Sequence, residues 1–374
     1  MVRLTDKARY FEDKTGSKTV NQYRLRSEVG RGTYSKVKWA EDDAGGYYAM
    51  KVFSKAVLER RQVAHFDADG ASTISLQERI AEELRILSSL SNPGVMALLE
   101  VIDDPGHDKL YVVLEGLIGG QLMHWCPDAI AYKVRSDPSA VRQHWGEHVR
   151  VTALPRPASQ TVVAVYREPV AQFFLRQLLE ALVYLHKQGV IHKDLKPDNI
   201  LLSQPAPSDD PRFVRLLALD MWPAVTESAL AVAPEAPAVG GDLVALLERS
   251  GLQTKIGDFN TSAVCEDPDC LIYDAEGTLQ FTPPECFEEK SNGIKGKPRD
   301  VWALGCVLFT MLFGRCPYWA EENIILQLSI MQDALVLPSG SLSAQAEGLL
   351  RGLMERDTAK RLSAVTALQS DWLR

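Results

Sequence analysis

The sequence is poor in cysteine and has no long apolar run. Its six cysteines show no framework spacing in a chain of 374 residues, which favours reduced thiols and a cytoplasmic protein. The longest apolar run, residues 301–313, is shorter than the ~20 residues of a membrane-spanning helix and predicts a buried helix. Residues 1–16 lack the apolar stretch of a signal peptide, and Val2 stands where a myristoylation signal needs glycine. We therefore expect a cytoplasmic localisation and no membrane association.

A surplus of positive charge is also missing. The net charge is -8, whereas proteins that bind nucleic acid or anionic membrane need a basic face. We therefore expect no nucleic-acid partner, and proteins and nucleotides are the expected partners. With 46% hydrophobic and 24% charged residues, the composition is typical of a globular protein with a large core, and the length suggests two lobes.

Hydrophobic spacing separates a β-rich first part of the chain from a helical second part. Apolar and polar residues alternate over residues 22–53, with breaks at 30–32 and 42–46, which predicts three antiparallel strands. A further strand is predicted at residues 110–114. Helical spacing recurs in five stretches, which are residues 76–90, 170–186, 300–313, 323–332 and 344–354.

This order predicts an N-terminal extension (residues 1–20), a small lobe (residues 21–117) and a large lobe (residues 118–374). Three insertions interrupt the lobes, at residues 56–75, 125–166 and 205–251. The last of them is rich in alanine and proline, which suggests an excursion on the surface.

A glycine-containing turn lies between the first two predicted strands. Gly30 and Gly32 open the run that ends at Val37, and the backbone of such a hairpin can lie over the phosphates of a nucleotide. Two glycines in a hairpin more often form a simple turn. Lys51 in the next strand strengthens the nucleotide interpretation, because an ammonium at the end of a buried strand can pair with phosphates.

Such a lysine needs an acid that holds it in place. Glu83 on the helix predicted at residues 76–90 is the candidate, since Leu87 one turn later continues the apolar stripe of that helix. The neighbouring Glu82 is expected to be solvated, which is the ordinary state of a surface glutamate.

The run from His192 to Asn199 carries three chemically distinct groups within one loop. Asp194 can accept a hydroxyl proton, Lys196 can neutralise a transferring phosphate, and Asn199 can bind Mg²⁺ through its amide oxygen. Asp258 adds a carboxylate oxygen, the type of ligand that Mg²⁺ prefers. Each carboxylate alone is most simply a surface charge, but the ordered set argues against coincidence.

With these motifs in this order, residues 23–373 resemble a eukaryotic protein kinase. The segment around Lys196 and the Thr278 hydroxyl have the serine/threonine form, and Thr278 resembles the residue that contacts the catalytic aspartate. Glu285 and Arg361 resemble the family's buried ion pair, and Asp300 resembles the aspartate that anchors the catalytic loop.

The resemblance implies an α+β, bilobal fold: a small five-stranded antiparallel β lobe with one main helix, and a larger, mostly helical lobe. ATP with Mg²⁺ would lie between the lobes, the metal on Asn199 and Asp258. By resemblance the nucleotide site comprises Val29, Gly30, Gly32, Val37, Ala49, Lys51, Glu115, Leu117 and Leu201. The implied activity is transfer of the γ-phosphoryl group of ATP to a protein hydroxyl.

Within that family, residues 21–25, 48–55, 99–105 and 296–302 resemble calcium/calmodulin-dependent protein kinase kinases. That resemblance implies that the protein substrate could be the activation segment of another protein kinase. Residues 364–373 are predicted to form the last helix of the domain, and only Arg374 follows. Since no basic amphipathic segment remains there, calmodulin binding is not expected.

Three positions depart from the family pattern. Ser35 replaces a loop glycine, which a small residue can do. Lys193 replaces an arginine and keeps the charge without the bidentate fork, so we predict that activity does not require phosphorylation of the activation segment between residues 260 and 277. Asn260 stands where a glycine with positive φ would be expected. These changes leave open a pseudokinase that binds nucleotide and partners without turnover.

Two weaker patterns involve cysteine and histidine. Cys265 and Cys270 flank acidic residues and could form a regulatory disulfide, although independent thiols are the simpler interpretation. A zinc site could be built from His124, Cys126, His144 and His148. Unpaired surface histidines are again the simpler interpretation.

Overall fold

The computed structural model describes most of the chain, namely residues 2–12, 14, 16–32, 34–67, 70–117, 119–127, 130–133, 153–154, 161–162, 166–203, 247–249, 251–265, 270–288, 293–338 and 340–374. Most of the insertion predicted at residues 125–166, and nearly all of that at residues 205–251, lie outside the described residues.

A large sheet dominates the small lobe. Its eight strands, in chain order, are β1 (Arg3–Thr5), β2 (Tyr10–Glu12), β3 (Lys18–Val20), β4 (Tyr23–Arg31), β5 (Ser35–Glu41) and β6 (Tyr47–Ser54), followed by β9 (Leu98–Asp103) and β10 (Lys109–Glu115) after the hairpin β7 (Gln62–Asp67) and β8 (Gly70–Ser75). The order across the sheet is β1-β9-β10-β6-β5-β4-β3-β2. The predicted mixture of strand and helix is confirmed.

The sheet is larger than the five-stranded lobe expected, because the N-terminal extension adds β1, β2 and β3 to the five strands β4, β5, β6, β9 and β10. β1 pairs in parallel with β9 at one edge, and β3 pairs with β4 at the other. The extension therefore satisfies backbone groups that both edges would otherwise leave open. Strands of three residues are too short to give a period-two signal, so the sequence did not reveal them.

Glu100 on β9 fastens the extension to the sheet. Its side chain is 2% exposed and accepts hydrogen bonds from Arg3, Thr5 and Tyr23, the last at 2.7 Å. Burial alone would raise the pKa of Glu100, but Arg3 and the two hydroxyl donors lower it below its ordinary value. A charged carboxylate thus links β1 to the interior strands.

The first insertion lies between β6 and the main helix of the small lobe. It consists of the short helix α1 (Lys55–Arg60) and the antiparallel hairpin β7–β8. Helix α2 (Leu76–Ser89) follows directly and begins at a capping box: the Ser75 hydroxyl accepts from the Glu78 amide, and the Glu78 carboxylate accepts from the Ser75 amide. This start fixes which face of α2 turns toward the sheet.

The large lobe is mostly helical. In the part of the lobe that the structure describes, its helices are α3 (Glu168–Lys187), α4 (Gly296–Phe313), α5 (Asn323–Gln332), α6 (Ala344–Leu353) and α7 (Ala364–Leu368). Within the same described residues, 3₁₀ turns lie at Pro197–Asn199, Leu279–Phe281 and Pro284–Cys286. Its short strands are β11 (Gly120–Gln121), β12 (His124–Cys126), β13 (Ala131–Lys133), β14 (Ala153–Leu154), β15 (Thr161–Val162), β16 (Val190–Ile191), β17 (Ile200–Leu202), β18 (Thr254–Ile256), β19 (Ala263–Val264), β20 (Leu271–Ile272) and β21 (Ile294–Lys295).

Helix α4 lies at the centre of the large lobe. It is buried on nearly every side, and Trp302 is fully buried, as expected for an apolar run that forms a core helix. It begins at Gly296, four residues before the predicted start. In the described part of the chain, no helix combines the length and apolar character needed to cross a membrane.

The last predicted helix is shorter than expected. Helix α7 ends at Leu368, and the chain then turns, with the Leu373 amide donating to the Ser370 carbonyl at 3.0 Å. Trp372 is nearly buried and its indole donates to Glu168 at 2.9 Å. The apolar residues that suggested a longer helix therefore pack as a turn beneath α3.

Candidate active site

Lys51 on β6 projects into the space between the lobes and meets two carboxylates. Its ammonium lies 2.8 Å from Glu83 Oε1 on α2 and 3.2 Å from Asp258 Oδ1. Burial alone would lower the pKa of Lys51, but the charges of Glu83 and Asp258 outweigh burial and raise it. The pair of Lys51 and Glu83 that the sequence predicted is therefore formed, and Lys51 is charged.

Asp258 lies in the turn that follows β18. Its backbone is left-handed, with φ of 59°. Its side chain is 39% exposed and contacts Lys51. Asn260 is not among the left-handed residues of the described chain. The expectation that position 260 requires positive φ is wrong, because the unusual conformation belongs to Asp258 itself, and Asn260 carries no backbone strain of this kind.

Asp194 is a nearly buried carboxylate that accepts hydrogen bonds at both oxygens. Oδ1 accepts from the Thr278 amide at 2.8 Å and the Thr278 hydroxyl at 2.7 Å. Oδ2 accepts from Lys196 at 2.8 Å and from the Asn199 amide at 3.0 Å. Burial alone would raise the pKa of Asp194, but Lys196 and Thr278 hold it below its ordinary value.

Lys196 and Asn199 complete the group around that carboxylate. The Lys196 ammonium also lies 2.7 Å from the Thr278 hydroxyl, so the lysine bridges the catalytic loop and the segment that precedes the 3₁₀ turn at Leu279–Phe281. The amide nitrogen of Asn199 donates to the Asp194 backbone carbonyl at 2.9 Å. With its nitrogen engaged there, the Asn199 oxygen is the atom left for a cation.

Asp300 fixes the backbone of this loop from below. Its carboxylate accepts from the amides of His192 and Lys193, both at 2.9 Å, and from the His186 ring at 3.0 Å. Burial alone would raise the pKa of Asp300, but the bond from His186 and the neighbouring groups lower it. This contact holds Lys193 in a left-handed conformation, with φ of 67°, directly before Asp194.

Lys193 ends in an acidic cluster that sequence reasoning missed. Its ammonium lies 2.7 Å from Asp274 Oδ2 and 3.6 Å from Glu276 Oε2, and the side chains of Lys193 and Asp274 are 5% and 9% exposed. Arg299 donates to the backbone carbonyls of Asp274 and Glu276, and Arg79 on α2 pairs with Glu276. We call these three basic and two acidic residues the acidic clamp.

Glu285 and Arg361 form the buried pair that the resemblance implied. The guanidinium donates to both carboxylate oxygens, at 2.6 and 2.9 Å, and the Arg361 side chain is fully buried. The guanidinium also lies over the ring of Trp302, 5.1 Å from its centre. A bidentate geometry of this kind suits arginine and fixes the end of the activation segment against α4.

The residues assigned to the nucleotide site lie on the strands that border the same space. Gly30 pairs with Val37 across β4 and β5, and Val37 pairs with Lys51 across β5 and β6. The Gly32 amide donates to the Ser35 carbonyl at 3.0 Å, which closes the hairpin.

The other residues assigned to the nucleotide site are Ala49 on β6, Glu115 at the end of β10, Leu117 two residues later, Leu201 on β17 and the half-exposed Val29 on β4. The Glu115 carboxylate is engaged by the Ala97 amide at 2.6 Å and by Lys255 at 2.9 Å. The Glu115 amide donates to the Ala97 carbonyl at 3.1 Å, so both its side chain and its N–H are engaged within the protein.

Cys265 and Cys270 lie side by side in the activation segment as free thiols. Burial and the hydrogen bond with Cys270 raise the pKa of Cys265 to about 12. The zinc hypothesis falls outside the described residues, since His144, His148 and the side chain of Cys126 are not described. Elsewhere in the described chain, no group of three or more histidine, cysteine or acidic side chains could hold a metal ion.

Comparison with known proteins gives these contacts a family context. A family model of the protein kinase domain matches residues 23–217 and 244–373. Serine/threonine-protein kinase GRIK2 of Arabidopsis thaliana is 28% identical over 373 residues, which cover 100% of this chain and 70% of that protein.

Two further relatives are longer. A calcium/calmodulin-dependent protein kinase kinase of Caenorhabditis elegans is 26% identical over 355 residues, covering 92% of this chain and 51% of that protein. Serine/threonine-protein kinase ssp1 of Schizosaccharomyces pombe is 28% identical over 385 residues, covering 99% of this chain and 45% of that protein. The family match covers most of the chain, and it includes every residue around Asp194 and Lys51 described above. The chain belongs to the protein kinase family and is a serine/threonine protein kinase.

Proposed function

We propose that this kinase transfers the γ-phosphoryl group of Mg·ATP to serine or threonine of a protein, with Asp194 as the catalytic base. The observation that carries the proposal is the hydrogen-bonded group of Asp194, Lys196 and Thr278, with all contacts between 2.7 and 2.8 Å. We further propose that ATP occupies the space between a small lobe ending near residue 117 and a large lobe beginning there, and that the protein acts in the cytoplasm.

Asp194 has the properties of a base for a weakly acidic hydroxyl. Its lowered pKa keeps it ionised at neutral pH, so it can accept a hydrogen bond from the substrate hydroxyl and orient it. The hydroxyl oxygen bonds to the γ-phosphorus while the bond from that phosphorus to the β,γ-bridging oxygen breaks, so ADP leaves and the hydroxyl proton moves to Asp194. The Thr278 amide and hydroxyl both donate to Oδ1 of Asp194 and hold the carboxylate in one orientation.

Two lysines supply positive charge where phosphate oxygens would lie. Lys196 borders the acceptor side, and Lys51, held by Glu83, faces the phosphates of the bound nucleotide. Asp258 and Asn199 offer a carboxylate and an amide oxygen, a donor set that fits Mg²⁺ with phosphate and water as its other ligands. Mg²⁺ bound there would neutralise phosphate charge during transfer.

The class of substrate that we propose is another protein kinase, at its activation segment. The name of the C. elegans relative states that its target is a kinase, and this chain matches about half of that protein. The acidic clamp supports the same role, because it holds the activation segment of this chain with its own carboxylates. An enzyme ordered in this way can start a phosphorylation cascade without first being phosphorylated.

The test uses the purified protein, Mg·ATP and a panel of protein kinases inactivated at their own catalytic aspartate. We expect phosphorylation of serine or threonine within the activation segment of at least one panel member, located by mass spectrometry. Asp194→Asn serves as the control for contaminating kinases. Phosphorylation only outside those segments would contradict the proposed substrate class. Nucleotide binding with no turnover on any protein would instead favour the pseudokinase alternative.

A further inference from the structure

A cavity of about 490 Å³ opens directly beside the catalytic loop. Lys196, Asn199 and Thr278 form one wall of it, and all three also contact Asp194. A substrate whose hydroxyl reaches Asp194 must therefore pass next to this cavity. Continuity with the acceptor site makes a neighbouring side chain of the substrate the natural occupant.

Aromatic side chains from a small hairpin and from the segment after α4 form much of the remaining lining, beside the polar Gln280 and Asp198. Trp125 on β12 packs against Tyr132 on β13, with ring centres 5.2 Å apart, and against Trp319, at 5.3 Å. The Tyr132 amide donates to the Gly314 carbonyl at 2.8 Å, which fastens β13 to the end of α4. The aromatic wall is thus attached to the core of the large lobe, and Cys316 lies beside it.

Asp198 is the one carboxylate among the described residues of this lining, and one of its two oxygens already accepts a hydrogen bond. The Tyr132 hydroxyl donates to Asp198 Oδ2 at 2.7 Å. Burial and the charge of Asp198 raise the pKa of Tyr132, so the phenol keeps the proton that it donates. Burial and the same charge raise the pKa of Cys316 to about 12, so that thiol is neutral. A cation entering here would find one carboxylate oxygen and would face the Lys196 ammonium.

We propose that this cavity binds a bulky apolar side chain of the protein substrate, close in sequence to the phosphorylated residue, and that Trp125 and Trp319 determine this preference. The inference rests on the proposed function and adds a selection rule to it. Leucine, methionine or phenylalanine would displace water from aromatic walls, which favours binding in proportion to the apolar area buried. Alanine at the same position would leave most of the cavity filled with water.

The experiment measures kcat/KM for short peptides with a central threonine in an alanine background. Leucine, phenylalanine or arginine is placed in turn at each flanking position. We expect one position at which leucine or phenylalanine raises kcat/KM about tenfold or more over alanine. In Trp125→Ala and Trp319→Ala this ratio should fall to within about twofold. The ratio is taken within one preparation, so partial unfolding of a variant does not affect it.

Phe11→Ala is the matched control, since it truncates an aromatic residue that is 64% exposed on β2, outside the cavity. It should retain the wild-type ratio. Tyr132→Phe releases Asp198, and should raise kcat/KM for arginine peptides relative to leucine peptides. Turnover of alanine peptides with no preference at any position, or a preference for arginine in the wild type, would overturn the inference while leaving the proposed function intact.

A binding measurement decides the inference even if no peptide is turned over. Fluorescent peptides in which alanine replaces the acceptor threonine are titrated with enzyme in the presence of a non-hydrolysable ATP analogue. Tighter binding of the leucine peptide than of its alanine counterpart, lost in Trp319→Ala but kept in Phe11→Ala, supports the cavity assignment. Equal binding of both peptides to the wild type refutes it.

Discussion

Replacement of Asp274 by alanine tests whether the acidic clamp substitutes for an activating phosphate. Lys193 and Asp274 are only 5% and 9% exposed, and their charged atoms lie 2.7 Å apart. Removing one partner of a buried ion pair costs about 3–5 kcal/mol because the other charge is left buried. Lys193 keeps Glu276 at 3.6 Å, so we expect a cost near the lower limit, about 3 kcal/mol.

That cost falls on the ordered activation segment, which positions Thr278 against Asp194. Since about 1.4 kcal/mol corresponds to a factor of ten, a cost of about 3 kcal/mol should lower kcat/KM of Asp274→Ala by about 100-fold. The assay is steady-state phosphorylation of one fixed protein substrate by enzyme treated with phosphatase and verified by mass spectrometry. Asp371→Ala is the control: it breaks the exposed pair with Arg374, at 3.0 Å, and should change kcat/KM by less than about twofold.

Two results would refute this reasoning. One is an Asp274→Ala enzyme with kcat/KM within about threefold of wild type, since the clamp would then do little. The other is a wild-type enzyme that loses more than about tenfold in kcat on phosphatase treatment. The structure argues against the second result. The hydroxyls of Thr261 and Ser262, the threonine and serine of residues 260–277 that could carry such a phosphate, both donate to the His192 carbonyl, at 3.2 and 3.3 Å.

Three further predictions concern other parts of the site. Asp258→Asn should retain the wild-type melting temperature but lose at least about 100-fold in kcat, because it removes a charged Mg²⁺ ligand; unchanged kcat in a spectrophotometric ATPase-coupled assay would contradict it. Because the pKa of Asp194 is lowered, its carboxylate stays charged in mild acid, and kcat/KM of the wild type should stay level as pH falls toward about 5. In Lys196→Gln burial dominates and raises this pKa, so the acid limb of the pH profile of kcat/KM should move to higher pH. An acid limb at the same pH in both enzymes would count against Asp194 as the base. Arg361→Ala should lower the free energy of unfolding by about 3–5 kcal/mol in urea titrations, since Glu285 would remain buried without its guanidinium; a loss below about 1 kcal/mol would show that the pair is unimportant.

The sequence predicted best what depends on short-range spacing. Lys51 and Glu83 lie on a strand and a helix whose limits the periodicity gave closely, and Asp258 was identified by its motif. The structure brings the charged atoms of all three residues together. Helix α2 began where predicted because Ser75 and Glu78 form a capping box that local sequence alone specifies. Positions fixed by local rules could therefore be inferred without a structure.

Contacts between distant loops could not be predicted in this way. Asp274 and Glu276 are two acids among many in an acidic chain, and their pairing with Lys193 follows from the path of the activation segment. The left-handed backbone at Asp258 was assigned two residues too late, at Asn260, because a side-chain type indicates tolerance of positive φ and not its location. The one sequence feature that pointed toward the clamp was Lys193, which stands where an arginine with a bidentate guanidinium would be expected.

Helix α2 joins the two halves of the site through residues one turn apart. Glu83 pairs with Lys51 on the nucleotide side, while Arg79, four residues earlier on the same face, pairs with Glu276 and donates to the Asn260 carbonyl at 2.8 Å. A rigid shift of α2 that breaks the first contact must also strain the second. The acidic clamp therefore orders the activation segment and, through Arg79, also holds α2 where Glu83 reaches Lys51. One arrangement of charges thus fixes the positions of both Lys51 and Asp194.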